Sequence, residues 1–252
     1  MKPGFQISPL FLLLLVTACS SPEPGDPVAM QGFLLPANPN DIPNLPDTAT
    51  IVVMGRTESD FPSTFVPRTS SQNAPEFDVH NLPYQETLVF QVSGATLDVV
   101  ASFPLLVDPN SFLSLGAFPA GSIQVIVDDA TGVSGRCRPA VLASQKVDLQ
   151  NQSIVMGIVA PAGTGTCNIQ SVELVDRETK QSVLSPGVNG PFYFDSNGCT
   201  VNSGRMADTE CSYIFFNIPP GIYDVQYLGA GQPIEHEVVA IAGQVMFGYD
   251  IP

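Results

Sequence analysis

Few residues in this chain could do chemistry, and they begin with five cysteines and two histidines in 252 positions. Cys137, Cys167, Cys199 and Cys211 follow an early Cys19. No two of them have Cys-x-x-Cys spacing, and His80 and His236 lie far from them in sequence, so the pattern does not read as a metal site. An even set of four in an exported chain points instead to two disulfides, and four cysteines allow three pairings. His80 follows "FDV" and precedes "NLP" at a strand end, where a solvated or satisfied ring is the default. His236 sits between Glu235 and Glu237, as on an alternating charged strand edge.

The sequence contains no GxSxG, HExxH, Walker loop or dinucleotide fingerprint. "APAGTGTCN" (160–168) is glycine-rich but lacks the Lys-Ser/Thr that grips phosphate, so it reads as a linker. The acids of "VDDATG" (127–132) read as turn chemistry. The stretch most like a ligand site is "FDSNGCTVNSGRMADTEC" (194–211), where Asp195, Asn197, Asp208 and Glu210 offer oxygens for calcium. It lacks the closing Glu of a twelve-residue calcium loop and reads better as a disulfide-closed loop. Tyr193, Tyr213, Tyr223 and Tyr227 have the flat rings that stack on sugars, but strand alternation sends several into a core. Catalytic residues, cofactors and metals are therefore expected to be absent.

The start of the chain gives an address. Lys2 is the only positive charge in the first 55 residues, and "PLFLLLLVTA" (9–18) follows it. That run is shorter than the ~20 apolar residues of a spanning helix and reads as the core of a secretory signal. Val16-Thr17-Ala18-Cys19 resembles the bacterial lipobox. The resemblance implies that residues 1–18 are removed and that Cys19 carries lipid. Ser20, where Asp would signal inner-membrane retention, implies the outer membrane. Several acyl chains on one cysteine suffice for stable anchoring, whereas a single chain is marginal.

Composition narrows the partners. Formal net charge is −15, with 9 basic against 24 acidic residues. Such a surface argues against nucleic acid, whose phosphates need Lys and Arg. Charged residues make up 13% of the chain, about half the usual ~25%, while 44% are apolar, enough to fill a core.

Residues 20–48 contain seven prolines and no Lys or Arg, and read as a semi-rigid spacer in which "GFLL" (32–35) could dock on the body. Beyond it, "TATIVVMG" (48–55), "ETLVFQVSG" (86–94), "ATLDVVASF" (95–103), "SIQVIVDD" (122–129) and "QSIVMGIVA" (152–160) read as strands broken by Gly, Pro, Asn and Asp. "QSVELVDRETKQSV" (170–183) reads as strand plus turn. The chain also repeats itself. "FLSLGAFPAGSIQVIV" (112–127) aligns with "YIFFNIPPGIYDVQY" (213–227), and "KVDLQNQSIVMGIVAP" (146–161) with "EVVAIAGQVMFGYDIP" (237–252); "FDVHNLPYQETLVFQV" (77–92) is a fainter third copy of the first element. Keeping each cysteine pair within one copy or its border gives Cys137–Cys167 and Cys199–Cys211, closures that contribute ~3 kcal/mol each in the chain-entropy model.

The turn element, best developed in Phe216, Asn217, Ile218, Pro219, Pro220, Gly221, Tyr223 and Val225, resembles the signature of carboxypeptidase-regulatory-like domains. Those are transthyretin-like sandwiches of bacterial surface proteins, mostly spacers and adhesive or accessory modules. Ala117 and Ile123 depart from the signature in the first half. Independently of the resemblance, Pro presets φ for the turn, Gly accepts positive φ, and Tyr223 and Val225 fall on one face of the next strand.

These readings give an all-β chain. They predict two tandem Ig-like or transthyretin-like β-sandwich domains, 49–161 and 162–252, after a lipoprotein signal (1–18) and a Pro-rich tether (19–48). The expected function is that of a lipid-anchored, non-catalytic structural or interaction module of the cell envelope. Its partners would be the membrane, through the lipid, and an envelope protein or glycan. The alternative is a carbohydrate- or calcium-binding accessory lipoprotein.

Overall fold

Short Val- and Ile-rich runs become strands wherever a second run lies close enough to pair with them, and seventeen form among the described residues. The computed structural model describes residues 21–36, 39–143, 145–159, 169–183, 189–195, 197–201, 211–229 and 234–250. The strands are β1 (Pro27–Leu35), β2 (Thr50–Val53), β3 (Ser63–Val66), β4 (Glu76–Pro83), β5 (Thr87–Leu88), β6 (Phe90–Gly94), β7 (Leu97–Ser102), β8 (Leu105–Leu106) and β9 (Leu113–Gly116). A helix, α1 (Ser122–Thr131), separates these from β10 (Ser153–Val159), β11 (Ile169–Asp176), β12 (Phe192–Phe194), β13 (Thr200–Val201), β14 (Ser212–Ile218), β15 (Gly221–Gly229), β16 (Ile234–Ala240) and β17 (Val245–Asp250).

An eight-stranded sheet in the order β13-β12-β14-β10-β17-β7-β6-β2 forms the middle of the molecule. Residues paired across neighbouring strands point to the same side. Val92, Val100, Val245 and Ile154, continued by Met156 and Ile214, therefore line one face. Ala101, Met246, Val155 and Phe215 line the other. The sheet β3-β4-β1-β9 covers the first face at the β2–β6 end, where Phe90 and Val92 pack with Met30, Phe77 and Leu115. Helix α1 covers the same face further along, with Ile123, Val127 and Ala130 against Val100, Ile154 and Phe247. The sheet β11-β15-β16 covers the opposite face, packing Val172, Leu174, Tyr223, Val225 and Val238 on Val155 and Phe215. The fold is thus all-β and built of sandwiches, as its sequence indicates.

The two sandwiches share the middle sheet. A boundary at 161/162 parts β10 from both its partners, because β10 pairs antiparallel with β14 and parallel with β17. The last strand, β17, lies parallel between β7 and β10 and joins the halves. The linker expected at "APAGTGTCN" (160–168) lies outside the described residues.

The expected tether is also corrected. Its middle is β1, paired antiparallel with β4 and parallel with β9. Met30, Gly32 and Leu34 alternate into the core in a period of two that the flanking prolines conceal. Pro27 opens the strand, where a missing donor is tolerated, and Pro36 lies beyond it. A Cβ at Gly32 would meet the Phe77 ring at 2.4 Å, so the close approach of β1 to β4 requires glycine.

"SIQVIVDD" is helical and not a strand. Asp98 accepts hydrogen bonds from the Gly121 and Ile123 amides at 2.9 and 2.8 Å, satisfying donors that a helix start leaves open. Ile123, Val127 and Ala130 then fall at i, i+4 and i+7 on the buried side. The repeat alignment changes with this. Residues 112–127 lead from β9 into α1, whereas 77–92, the fainter copy, shares the geometry of 213–227. Between β1 and β4 the register passes from Met30–Val79 to Val28–Leu82. Between β10 and β14 it passes from Val155–Phe215 to Ser153–Ile218. Each is the same bulge, and within it Asn81 (φ 64°) and Asn217 (φ 54°) take left-handed conformations.

Candidate functional site

The site is built by the chain that leaves α1. Gly132 (φ 80°) ends the helix in a left-handed cap, and Gly135 (φ 68°) turns the chain again. Asp129, only 1% exposed, draws the loop inward. It accepts hydrogen bonds from Ser134 Oγ at 2.5 Å and Arg136 Nε at 2.9 Å, and Arg136 Nη2 also bonds it. Burial pushes its carboxyl up, but these hydrogen bonds and the guanidinium charge outweigh that and hold it below the usual carboxylate range. The bond to Asp129 in turn raises the pKa of Arg136.

The returning loop delivers Cys137 to Cys199, with Cα atoms 5.6 Å apart, in a disulfide. This corrects both expected pairings. Cys199 bonds Cys137 and so does not pair with Cys211, which is buried at the start of β14. Cys167, like Cys19, lies outside the described residues. Sequence distance misled the pairing: the bonded cysteines are 62 residues apart, and folding of the loop after α1 onto the β12–β13 turn brings them together.

That turn is organised by Asp195. Its Oδ1 accepts the amides of Asn197 and Cys199, each at 2.9 Å, and its own amide donates to the Cys199 carbonyl. Gly198 supplies the positive φ. Between turn and loop lies a cleft of about 310 Å³, lined by Arg136, Arg138, Asp195, Asn197, Thr200 and the disulfide. Arg138 has no ion pair among the described residues. The arrangement presents the Arg138 guanidinium, the part of Arg136 that Asp129 leaves open and the Asn197 amide, donors suited to carboxylate or sugar oxygens.

The other sequence candidates lie elsewhere. His80 Nε2 is 3.4 Å from Thr64 Oγ1 on β3 and β4. The His236 ring meets Tyr227 edge-on at 5.6 Å between centroids. Neither histidine lines the cleft. Asp208 and Glu210 lie outside the described residues, and no group of three or more potential metal ligands occurs among those described. Tyr193, Tyr213, Tyr223 and Tyr227 are all buried, the hydroxyls of Tyr213 and Tyr227 2.8 Å apart, so none offers a stacking platform. Sequence reasoning missed Arg136 and Arg138 altogether; the Cys-flanking "RCR" (136–138) was the available signal.

No protein-family model matches the chain, and no curated protein does. Solved structures give weak likenesses. One is the Streptococcal ancillary pilin, 10% identical over 89% of this chain and 68% of that chain, with a TM-score of 0.26. Another is BcpA, the major pilin subunit of Bacillus cereus, 10% identical over 90% and 70%, with a TM-score of 0.27. A third is the Bacillus anthracis TIE protein, 10% identical, of which 34% is covered, with a TM-score of 0.24. Likenesses at these TM-scores say nothing of what this chain binds.

Proposed function

We propose that this chain is a lipid-anchored protein of the cell envelope, attached through Cys19 and acting as a non-catalytic structural or interaction module at the outer membrane. One observation supports the non-catalytic part: the best-ordered carboxylates among the described residues hold the fold. Asp98 caps α1, Asp129 binds the loop behind it, and Asp148, Asp176 and Asp195 each accept amide hydrogen bonds of their own turns. A catalytic acid or base needs a free lone pair or proton within reach of substrate. The bulge-and-turn unit around Asn217 supports kinship with carboxypeptidase-regulatory-like modules. The "VTAC" stretch supports the anchor.

The test is direct. Mass spectrometry of the mature N-terminus should find acylated Cys19, and Cys19→Ala should release the protein from membranes. Cross-linking in the native envelope should then capture a defined partner. Hydrolysis of envelope glycans or peptides by residues 21–252, abolished by one point substitution, would overturn the reading.

The cleft favours one form of the alternative. Arg136 is paired with Asp129, Asp195 Oδ1 holds its own turn, and Arg138 brings a guanidinium with no ion pair among the described residues, so an acidic sugar suits the site better than calcium. Titration with uronic acids should show saturable binding that Arg138→Ala weakens.

A further inference from the structure

The first described contact of the chain with the folded body comes far earlier than the proline-rich sequence implies. The Gly25 amide donates to the Tyr84 carbonyl, and the Tyr84 amide to the Asp26 carbonyl, both at 2.9 Å. Only six positions separate Cys19 from Gly25, at most about 20 Å of extended chain. A spacer running to residue 48 would have reached on the order of 100 Å.

So short a connection limits how far that end of the molecule can stand from a lipid on Cys19. From Tyr84 the ladder continues directly: the Gln85 amide bonds the Val107 carbonyl, the Val107 amide bonds the Glu86 carbonyl, and Thr87 pairs with Leu106. Leu106, 57% exposed, therefore lies on the order of 10 Å from the point where the tether enters the fold, about two strand spacings. This is also the end at which the long middle strands finish. Strand β7 runs into it through Phe103 and Pro104, and β17 and β10 run parallel to β7. Strand β14 runs the other way and ends at the Pro219–Gly221 turn, so Ile222, 50% exposed, lies at the opposite end, a strand length of roughly 20 Å further.

We infer that the end formed by Gly25, Tyr84, Glu86 and Leu106 rests on the lipid surface, with Leu106 at the headgroup level and the Ile222 end pointing away. The inference rests on the lipid-anchor reading and deepens it, since it names the face that the membrane covers. Glu23, Asp26 and Glu86 are exposed at this same end, so the surface that fits is zwitterionic and not anionic.

The chain contains no tryptophan, so one introduced indole reports alone. The full lipidated protein carrying Leu106→Trp or Ile222→Trp is reconstituted in phosphatidylcholine vesicles in which some headgroups bear a nitroxide quencher. Both positions are exposed, and unchanged thermal unfolding checks that both variants fold. L106W should lose most of its emission and I222W should keep it. A twenty-residue Gly-Ser insertion between Ser21 and Pro22 should restore L106W emission while the protein still floats with the vesicles. Equal quenching of the two variants, quenching of I222W alone, no quenching of either, or quenching of L106W that survives the insertion would each overturn the orientation. If the protein does not float with the vesicles, the anchor reading fails, and the orientation with it.

Discussion

Asn81 and Asn217 occupy the same place in two copies of one bulge, but of the two only Asn217 holds a second segment of chain among the described residues. Its Oδ1 accepts the Asp148 amide at 2.9 Å, and its Nδ2 donates to the Lys146 carbonyl at 3.0 Å. Both asparagines have positive φ, which costs other L-residues about 1 kcal/mol or more. Asn81→Ala should therefore cost about 1 kcal/mol. Asn217→Ala should cost about 3 kcal/mol, because two hydrogen bonds of about 1 kcal/mol each go with it. Glycine should rescue position 81 nearly completely and position 217 only in part. Urea unfolding of the four variants checks this, and equal costs at the two sites would refute the clamp.

These bulges show what was legible in the sequence. The "NLP" and "NIPPG" stretches carry a local conformation in their residue types, so the turn at 217–221 and the inward pair Tyr223 and Val225 could be read directly. Strand β1 was concealed because proline content spoke louder than the alternation of Met30, Gly32 and Leu34. The α1 stretch reads as a strand because Ile123, Val125 and Val127 alternate, while Ile123, Val127 and Ala130 also share a helical face. Asp98, 23 residues before Gly121, decides between them, and no window of the sequence contains both. The Cys137–Cys199 bond and the cleft beside it depend on the same kind of distant contact.

Gly157 and Gly248 are register partners in the parallel strands β10 and β17. A Cβ on Gly157 would stand 2.5 Å from Tyr213 Oη, and one on Gly248 2.5 Å from Phe103 Cε2. Gly248→Ala should cost about 1–3 kcal/mol by overpacking. Combining it with Phe103→Leu should cost less than the sum of the two, since the smaller side chain vacates the space. Strict additivity in denaturant unfolding would show that the ring does not set the limit.

The disulfide predicts a peptide and an energy. Non-reducing peptide mapping should recover Cys137 joined to Cys199, and recovery of Cys137 joined to Cys167 would contradict the fold. The cross-link spans 62 residues, so the paired alanine variant should lose about 4 kcal/mol in the chain-entropy model. The loss should also loosen the 132–139 loop, seen as faster amide exchange there.

Acid should act first on carboxylates that the fold holds charged. Asp129 is held low by Arg136 and Ser134 against the upward push of burial. Asp60, Asp148 and Asp176 are lowered chiefly by hydrogen bonds from Thr57, Asn151 and Thr179. A carboxyl whose folded pKa lies below its unfolded value stabilises the fold above about pH 4, and that stability is lost as pH falls through the folded value. The fold should therefore be flat in stability near neutrality and weaken below pH 4. Arg136→Ala isolates the buried member of the set. It leaves Asp129 ionised without its partner at pH 7 and should cost about 2 kcal/mol, below the usual 3–5 kcal/mol for a broken buried pair because Arg136 is half exposed. At pH 3 Asp129 can take up a proton in the variant, so the penalty should shrink. Urea midpoints of both proteins at the two pH values give the comparison. A penalty that is the same at pH 3 and pH 7 would mean that Arg136 holds the loop by packing alone and that the charge on Asp129 is immaterial to the cleft.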